Sequence, residues 1–288
     1  MALLAADTAG IVTVAPRGGA RVFRPAVWLA GLYIAVMLAW AIAPSLFTGQ
    51  SPLETDIEVP LRPPSPEHWF GTDASGRDIY TRVVFGAQSS LAIGVGATAL
   101  ALAAAVVLGL AAGLGGRLTD GGISRFLEVT LALPGLLLAL VFIAMFGPGV
   151  VTQIVAVAIG SAAGYARMVR GQVIAVKDSG YVDAAIALGH DRRRIVTRHV
   201  FPNAMRPLVV LATMGVGQSI VWASALSFLG LGVAPPAPEW GAMLNAGRDF
   251  VSTAWWLEVF PGLAIVGTTL AVTVLGRHLQ QRFEGRLT

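Results

Sequence analysis

Charged residues are missing from five long stretches of the chain: 25–53, 83–116, 129–166, 207–238 and 259–276. A helix needs about 20 apolar residues to cross the hydrocarbon of a bilayer. The stretch 129–166 is long enough for two helices, and Gly147-Pro148-Gly149 divides it. The pattern predicts six membrane-crossing helices, near 27–46, 88–113, 124–146, 150–168, 205–227 and 256–277. Backbone in lipid must satisfy its own hydrogen bonds, so helices are the natural form of such runs. A transmembrane barrel would show alternating segments of about ten residues, and 100–113 shows no alternation. The first run is expected to remain as a span. Its apolar core is too long for a cleaved leader, and no convincing small-residue cleavage site follows.

Composition agrees with the pattern. Hydrophobic residues make up 55% of the 288 positions and charged residues 12%, with mean hydropathy +0.72. Ordinary soluble domains carry roughly 25% charge. The deficit excludes a disordered chain, a nucleic-acid module and a typical soluble enzyme. The net charge is only +4, so the high pI does not call for a nucleic-acid partner. Cysteine is absent, which excludes structural disulfides and Cys-ligated metals. His68, His190, His199 and His278 form no HxxxH or HExxH pair, so neither a metal site nor a catalytic centre is expected. Gly109 and Gly113 suit close helix packing.

The basic residues fix an orientation. With the N-terminus in the cytoplasm, sixteen of the twenty Lys and Arg fall inside: Arg17, Arg21, Arg24, Arg117, Arg125, Arg167, Arg170, Lys177, Arg192, Arg193, Arg194, Arg198, Arg206, Arg277, Arg282 and Arg286. Outside lie Arg62, Arg77, Arg82 and Arg248. This positive-inside bias predicts a multi-pass protein of the cytoplasmic membrane with both termini cytoplasmic. Trp28, Trp40, Trp255 and Trp256 fall near proposed span ends, where indole rings settle.

The largest inside loop, 168–205, has helix signals of its own. Asp178 and Ser179 suit a helix start, and Asp183 stands in the first turn. Gly189 suits a helix end with positive φ. Asp191 caps a second, basic helix, which Pro202 ends before Asn203 leads into the fifth span. Charge alone explains the loop equally well as topogenic. Its spacing is more specific: Asp183-Ala184-Ala185, three residues, Gly189, nine residues, His199-Val200-Phe201-Pro202. That resembles the EAA loop of ABC importer permeases, E-A-A-x3-G-x9-I-x-L-P. Asp183 stands for the usual Glu, and His199 and Phe201 stand where aliphatic residues are commoner.

More of the chain resembles a narrower family, the dipeptide, oligopeptide and nickel permeases. Gly71-Thr72-Asp73-Ala74-Ser75-Gly76-Arg77-Asp78 with Arg82 and Gly86 is similar to that family's GTDxxGRDxxSR signature. Tyr165-Ala166-Arg167, Arg170-Gly171-Gln172, Arg198-His199, Pro202-Asn203-Ala204, the run 226–232 and Trp240-Gly241 extend the match. The set points to the C-type member of a B/C permease pair. The tail departs, with Gly276-Arg277-His278-Leu279 in place of a Gly-Asp-Leu-Arg-Asp-like end.

The resemblance implies an all-α, six-span type I ABC importer permease that moves di- or oligopeptides inward by alternating access. Residues 1–86 would hold the cytoplasmic N-terminus, first span and outer loop; 87–276 a five-helix core with a coupling loop at about 178–202; and 277–288 a cytoplasmic tail. It implies a second homologous permease subunit, two ABC ATPase subunits or one fused ATPase, and an extracytoplasmic substrate-binding protein. ATP and Mg would sit on the ATPases, since this chain has no GxxxxGK[ST] loop and no cofactor of its own.

Asp183, Ala184, Ala185, Leu188, Gly189, His190, Arg192 and Pro202 are the candidate ATPase-coupling residues. Arg192–Arg194 are expected to set charge complementarity or topology. The outer-loop motif Gly71, Thr72, Asp73, Gly76, Arg77, Asp78 and Arg82 is either an internally paired brace, part of it helical, or a gate or docking site. Arg117, Asp120, Arg125 and Glu128 mark a short, paired inner loop. Thr213, Gln218, Ser219 and Ser227 are candidates for lining a pathway or for bonding neighbouring helices. A nickel or other small-solute permease, and an autonomous carrier or channel, remain alternatives. The latter lacks the mid-span ionisable group such carriers use.

Overall fold

The computed structural model describes residues 25–283. Arg17, Arg21, Arg24 and Arg286, and the end of the tail from 284 onward, lie outside the described residues. Ten α-helices follow one another: α1 Pro25–Ile42, α2 Ile79–Leu114, α3 Arg117–Ala132, α4 Gly135–Phe146, α5 Val150–Lys177, α6 Gly180–Ala187, α7 Arg192–Ile195, α8 Phe201–Leu226, α9 Trp240–Gly247 and α10 Trp256–Phe283. Five helical runs are long and apolar enough to cross a membrane: α1, α2, α5, the run Arg192–Leu231 around α8, and α10. The pair α3–α4 makes a sixth if counted as one bent span. The protein is therefore an all-α membrane protein.

That sixth span differs from expectation. In place of one helix over 124–146, two helices meet at 87°. Pro134 sets the corner. Its ring drives the preceding residue out of the helical region, and Leu133 has φ −91° and ψ 138°. Twelve-residue α4 reaches only about 18 Å, less than the hydrocarbon thickness. The charged positions Arg117, Asp120, Arg125 and Glu128, expected in a loop, lie on α3, whose leucine at 127 alone is buried.

Other span ends also move. α2 begins at Ile79, ahead of the expected 88, and takes Arg82 into its first turn. α5 continues to Lys177. Pro202 does not end a helix: it lies in the first turn of α8. The chain enters α8 through a π turn, Val196–Val200, in which the Phe201 N–H reaches back to the Val196 carbonyl. A wider turn suits a site where proline brings no N–H for the ladder.

α2 is central and packs on α1, α5, α8 and α10. Small residues make this possible. A Cβ on Gly109 would stand 2.6 Å from Val169, and one on Gly113 2.6 Å from Cγ1 of Val173, so α2 and α5 approach backbone to backbone. Three apolar clusters follow along the bundle. The middle one joins Ile93 and Ala97 of α2 to Ile143 of α4, Val157 of α5 and Leu226 of α8. A second, at the end bearing α6 and α7, joins Ala105, Leu127, Val169, Val173, Val182, Val200 and Ala204. The third, at the opposite end, packs Met37, Val83, Trp240, Trp256 and Leu257. Large apolar side chains outside these clusters, such as Trp28, Leu32, Val107 and Leu270, are exposed, as a lipid-facing surface requires.

Candidate functional site

The knob between α5 and α8 is built from local signals. α5 stops at Lys177. Ser179 occupies the N-cap position of α6, but its hydroxyl turns back to the Val176 carbonyl; its own carbonyl accepts from Val182 (2.9 Å) and Asp183 (3.2 Å). Neither Asp178 nor Ser179 caps α6 through its side chain: Asp178 instead closes the end of α5. After α6, the Gly189 N–H bonds the Ile186 carbonyl (2.9 Å) and the His190 N–H bonds that of Ala185 (3.2 Å). This is the 5→2 and 6→1 pair of a Schellman end, and Gly189 has the positive φ it needs, +77°. Asp191 then caps α7, accepting from the Arg194 N–H at 3.3 Å.

The knob presents two faces. Val182 and Ala185 are buried, Val182 against the end cluster. Asp183, Ala184, Gly189 and the large apolar side chains of Tyr181, Ile186 and Leu188 point outward. Leu188 is 76% exposed and lies between the candidate spans Val150–Lys177 and Arg192–Leu231. Of the candidate coupling residues, Asp183, Ala184, Leu188 and Gly189 therefore share one open surface, and Ala185 holds its underside. His190 is half-buried and stacks on His199 with centroids 6.1 Å apart. Pro202 is exposed at the start of α8. Tyr181 and Ile186 were not singled out in the sequence, although the helical spacing of α6 puts both beside Asp183–Ala184.

Cations tie the knob to the helices beneath it. Arg192 Nη2 donates to the Leu114 carbonyl at 2.9 Å, and Lys177 Nζ lies 3.5 Å from the Gly113 carbonyl. Arg170 of α5 grips Asp120 of α3 through two bonds, one at 2.7 Å. Asp120 thus pairs across helices, whereas Arg125 and Glu128 pair with each other at 3.3 Å.

At the opposite end, the motif 71–78 is a tight turn rather than a helix. Asp73 accepts the N–H groups of Ser75 (2.8 Å) and Arg77 (3.0 Å) and the Nε of Arg77 (2.7 Å). Arg82 lies 3.8 Å from the same carboxylate and donates to the carbonyls of Pro52 (3.0 Å) and Pro236 (3.1 Å). Asp78 caps α2 through the Thr81 N–H at 2.7 Å and meets His68 Nδ1 at 3.1 Å. Thr72 accepts from Arg62 and donates to Val59, and its carbonyl takes the indole N–H of Trp256 at 3.1 Å. Gly71 and Gly76 have φ of +77° and +73°. A Cβ on Gly76 would collide with the Asp56 backbone. Each polar residue of this motif is bonded within the chain, and its two glycines hold positive φ.

Glu239 belongs to the same cap and was missed. Only 1% exposed, it caps α9 by accepting from Gly241 and Ala242, both at 2.8 Å, and takes the Ser90 hydroxyl at 3.3 Å. Trp240 donates its indole N–H to the Val83 carbonyl at 2.9 Å. Glu239 is the only acidic residue between Asp191 and Asp249, a signal that it has a fixed partner.

The four polar side chains near α8 do not converge. Ser219 bonds Thr98 at 3.0 Å, Ser227 bonds Gln153 at 2.8 Å, and Thr213 bonds the Val210 carbonyl at 2.8 Å; Gln218 alone is exposed. Among the described residues no three His, Asp or Glu side chains gather as metal ligands would.

The family profile described as "Binding-protein-dependent transport system inner membrane component" matches residues 105–288. The chain is 41% identical over 247 residues to the dipeptide transport system permease protein DppC of Alkalihalophilus pseudofirmus, covering 86% of this chain and 81% of that protein. It is 44% identical over 224 residues to the glutathione transport system permease protein GsiD of Shigella flexneri, covering 78% and 74%. The fold is similar to that of a chain from an inward-facing structure of the MetNI methionine ABC transporter, with TM-score 0.58 and 18% identity, covering 72% of this chain and 96% of that one.

Proposed function

The chain belongs to the binding-protein-dependent transport system inner membrane components, and from that premise we propose that it is the C-type permease subunit of an ATP-driven importer of di- or oligopeptides. The names of its relatives, dipeptide and glutathione permeases, support a peptide cargo. Under this reading α6 and α7 face the cytosol, as do both termini. The chain pairs with a second, homologous permease. Two ATPase subunits, or one fused ATPase, hold ATP and Mg, and an extracytoplasmic binding protein delivers the cargo.

One observation supports the mechanism: the exposed surface of Tyr181, Asp183, Ala184 and Ile186 on an eight-residue helix, with Leu188 at its C-cap, between two candidate membrane spans. Exposed apolar patches of this kind mark partner surfaces. The Schellman end at Gly189 makes the knob a defined shape, and its buried Val182 belongs to the apolar cluster that includes Val169 and Val173 of α5 and Ala204 of α8. When the ATPases close on ATP they displace the knob, and the helices packed on it move as a body. The pathway opens outward, accepts cargo, and resets after hydrolysis. Gln218 and Thr213 are the polar groups we retain for the pathway. Ser219 and Ser227 are bonded to neighbouring helices.

The test is reconstitution. In proteoliposomes carrying this chain, its permease partner and the ATPases, uptake of a labelled dipeptide should require both external binding protein and internal ATP. Uptake by the lone chain, driven by a gradient without ATP, would contradict the proposal.

A further inference from the structure

The final carbonyls of a helix have no donor within it. At the end of α2 two are filled by cations from either flank of the knob. Lys177, the last residue of α5, reaches Gly113, and Arg192, the first residue of α7, reaches Leu114. A cation at a helix C-terminus is favoured by the dipole as well as by the hydrogen bond. The neighbouring Arg193, Arg194 and Arg198 behave differently: with Asp191 and Thr197 they line an open notch on the surface. Charge alone therefore does not describe Arg192.

α2 is longer than α5, the 28-residue helix that leads into the knob and likewise lacks proline. Its 36 residues span about 54 Å without a proline. α8 contains Pro207 and stands between two π turns, and α10 contains Pro261. The far end of α2 is fixed as firmly as the near end. Asp78 caps it, and Arg82 bonds the Pro52 and Pro236 carbonyls of two separate loops. Between the ends, Gly109 and Gly113 seat it against α5.

We infer that α2 is the rod that carries displacement of the knob to the outer cap, and that Arg192, through the Leu114 carbonyl, is the positioning residue that joins knob to rod. The inference rests on the importer reading above and adds a route for the force. It assigns Arg192 a role within the chain rather than in contact with the ATPase.

The chain has no cysteine, so one label reports cleanly. Ser51→Cys, beside the Pro52 carbonyl that holds Arg82, is labelled with an environment-sensitive dye in the assembled transporter with its binding protein. ATP should change the dye signal in an otherwise unaltered chain. Adding Arg192→Ala should cut that change and peptide uptake about tenfold, the ratio worth of one charge-assisted hydrogen bond. ATPase binding should persist. Arg192→Lys, which still places a cation on the carbonyl, should restore most of both. An Arg192→Ala transporter with a full dye response and full uptake overturns the inference. So does loss of ATPase binding in that variant, which would place Arg192 on the docking surface. If the unaltered chain shows neither an ATP-dependent signal nor uptake, the importer reading itself fails.

Discussion

Gly189 shows how much of the site rests on one backbone angle. Nothing lies within 4 Å of where its Cβ would be, so a side chain meets no neighbour. The cost of substitution comes from φ of +77° alone, about 1 kcal/mol for alanine. Proline cannot reach that angle and also loses the N–H that bonds Ile186. Gly189→Ala should therefore weaken uptake modestly. Gly189→Pro should abolish it while the protein still accumulates in the membrane fraction at normal level. Normal uptake with proline would show that the knob's shape does not matter. Gly189 and the Asp191 cap were legible in the sequence because their causes are local. Glu239 was not, since its meaning depends on Ser90 in another helix. Ser179 takes the helix-start position its residue type suggests, but its hydroxyl donates to the Val176 carbonyl instead of accepting from an α6 N–H.

At the scale of elements, the uncharged runs located the spans but not their ends. The charge pattern alone makes Arg82 a boundary. In the fold it enters the first turn of α2, because the Asp73 carboxylate and two carbonyls receive its guanidinium. Pro134 went unused as a corner, since an apolar run continues through it and only the amphipathic order of Arg117–Ala132 marks the bend. The contact between α2 and α5 was foreshadowed by the Gly109–Gly113 spacing, and it yields a paired prediction. Gly109→Ala presses a Cβ into Val169 and should destabilise by about 1–3 kcal/mol. Gly121→Ala sits in exposed α3 with nothing within 4 Å and should stabilise by up to about 1 kcal/mol through helix propensity. Thermal unfolding in detergent checks both. Equal shifts of the same sign would remove the close-packing argument.

Across the whole molecule, two polar constructions bracket one apolar bundle. One is the cap at 71–82 with Glu239 and Trp256, inwardly bonded throughout. The other is the knob at 178–202, with Tyr181, Ile186 and Leu188 turned out. That contrast is the basis on which we propose docking for the second and bracing for the first. The most direct measurement uses the absence of native cysteine. Leu188→Cys is placed in the assembled transporter and probed with an impermeant reagent and with a short crosslinker. The account predicts labelling only in inside-out vesicles, and a crosslink to the ATPase subunit whose yield changes with ATP. Labelling from the outer surface, or no crosslink to the ATPase in any nucleotide state, would contradict it.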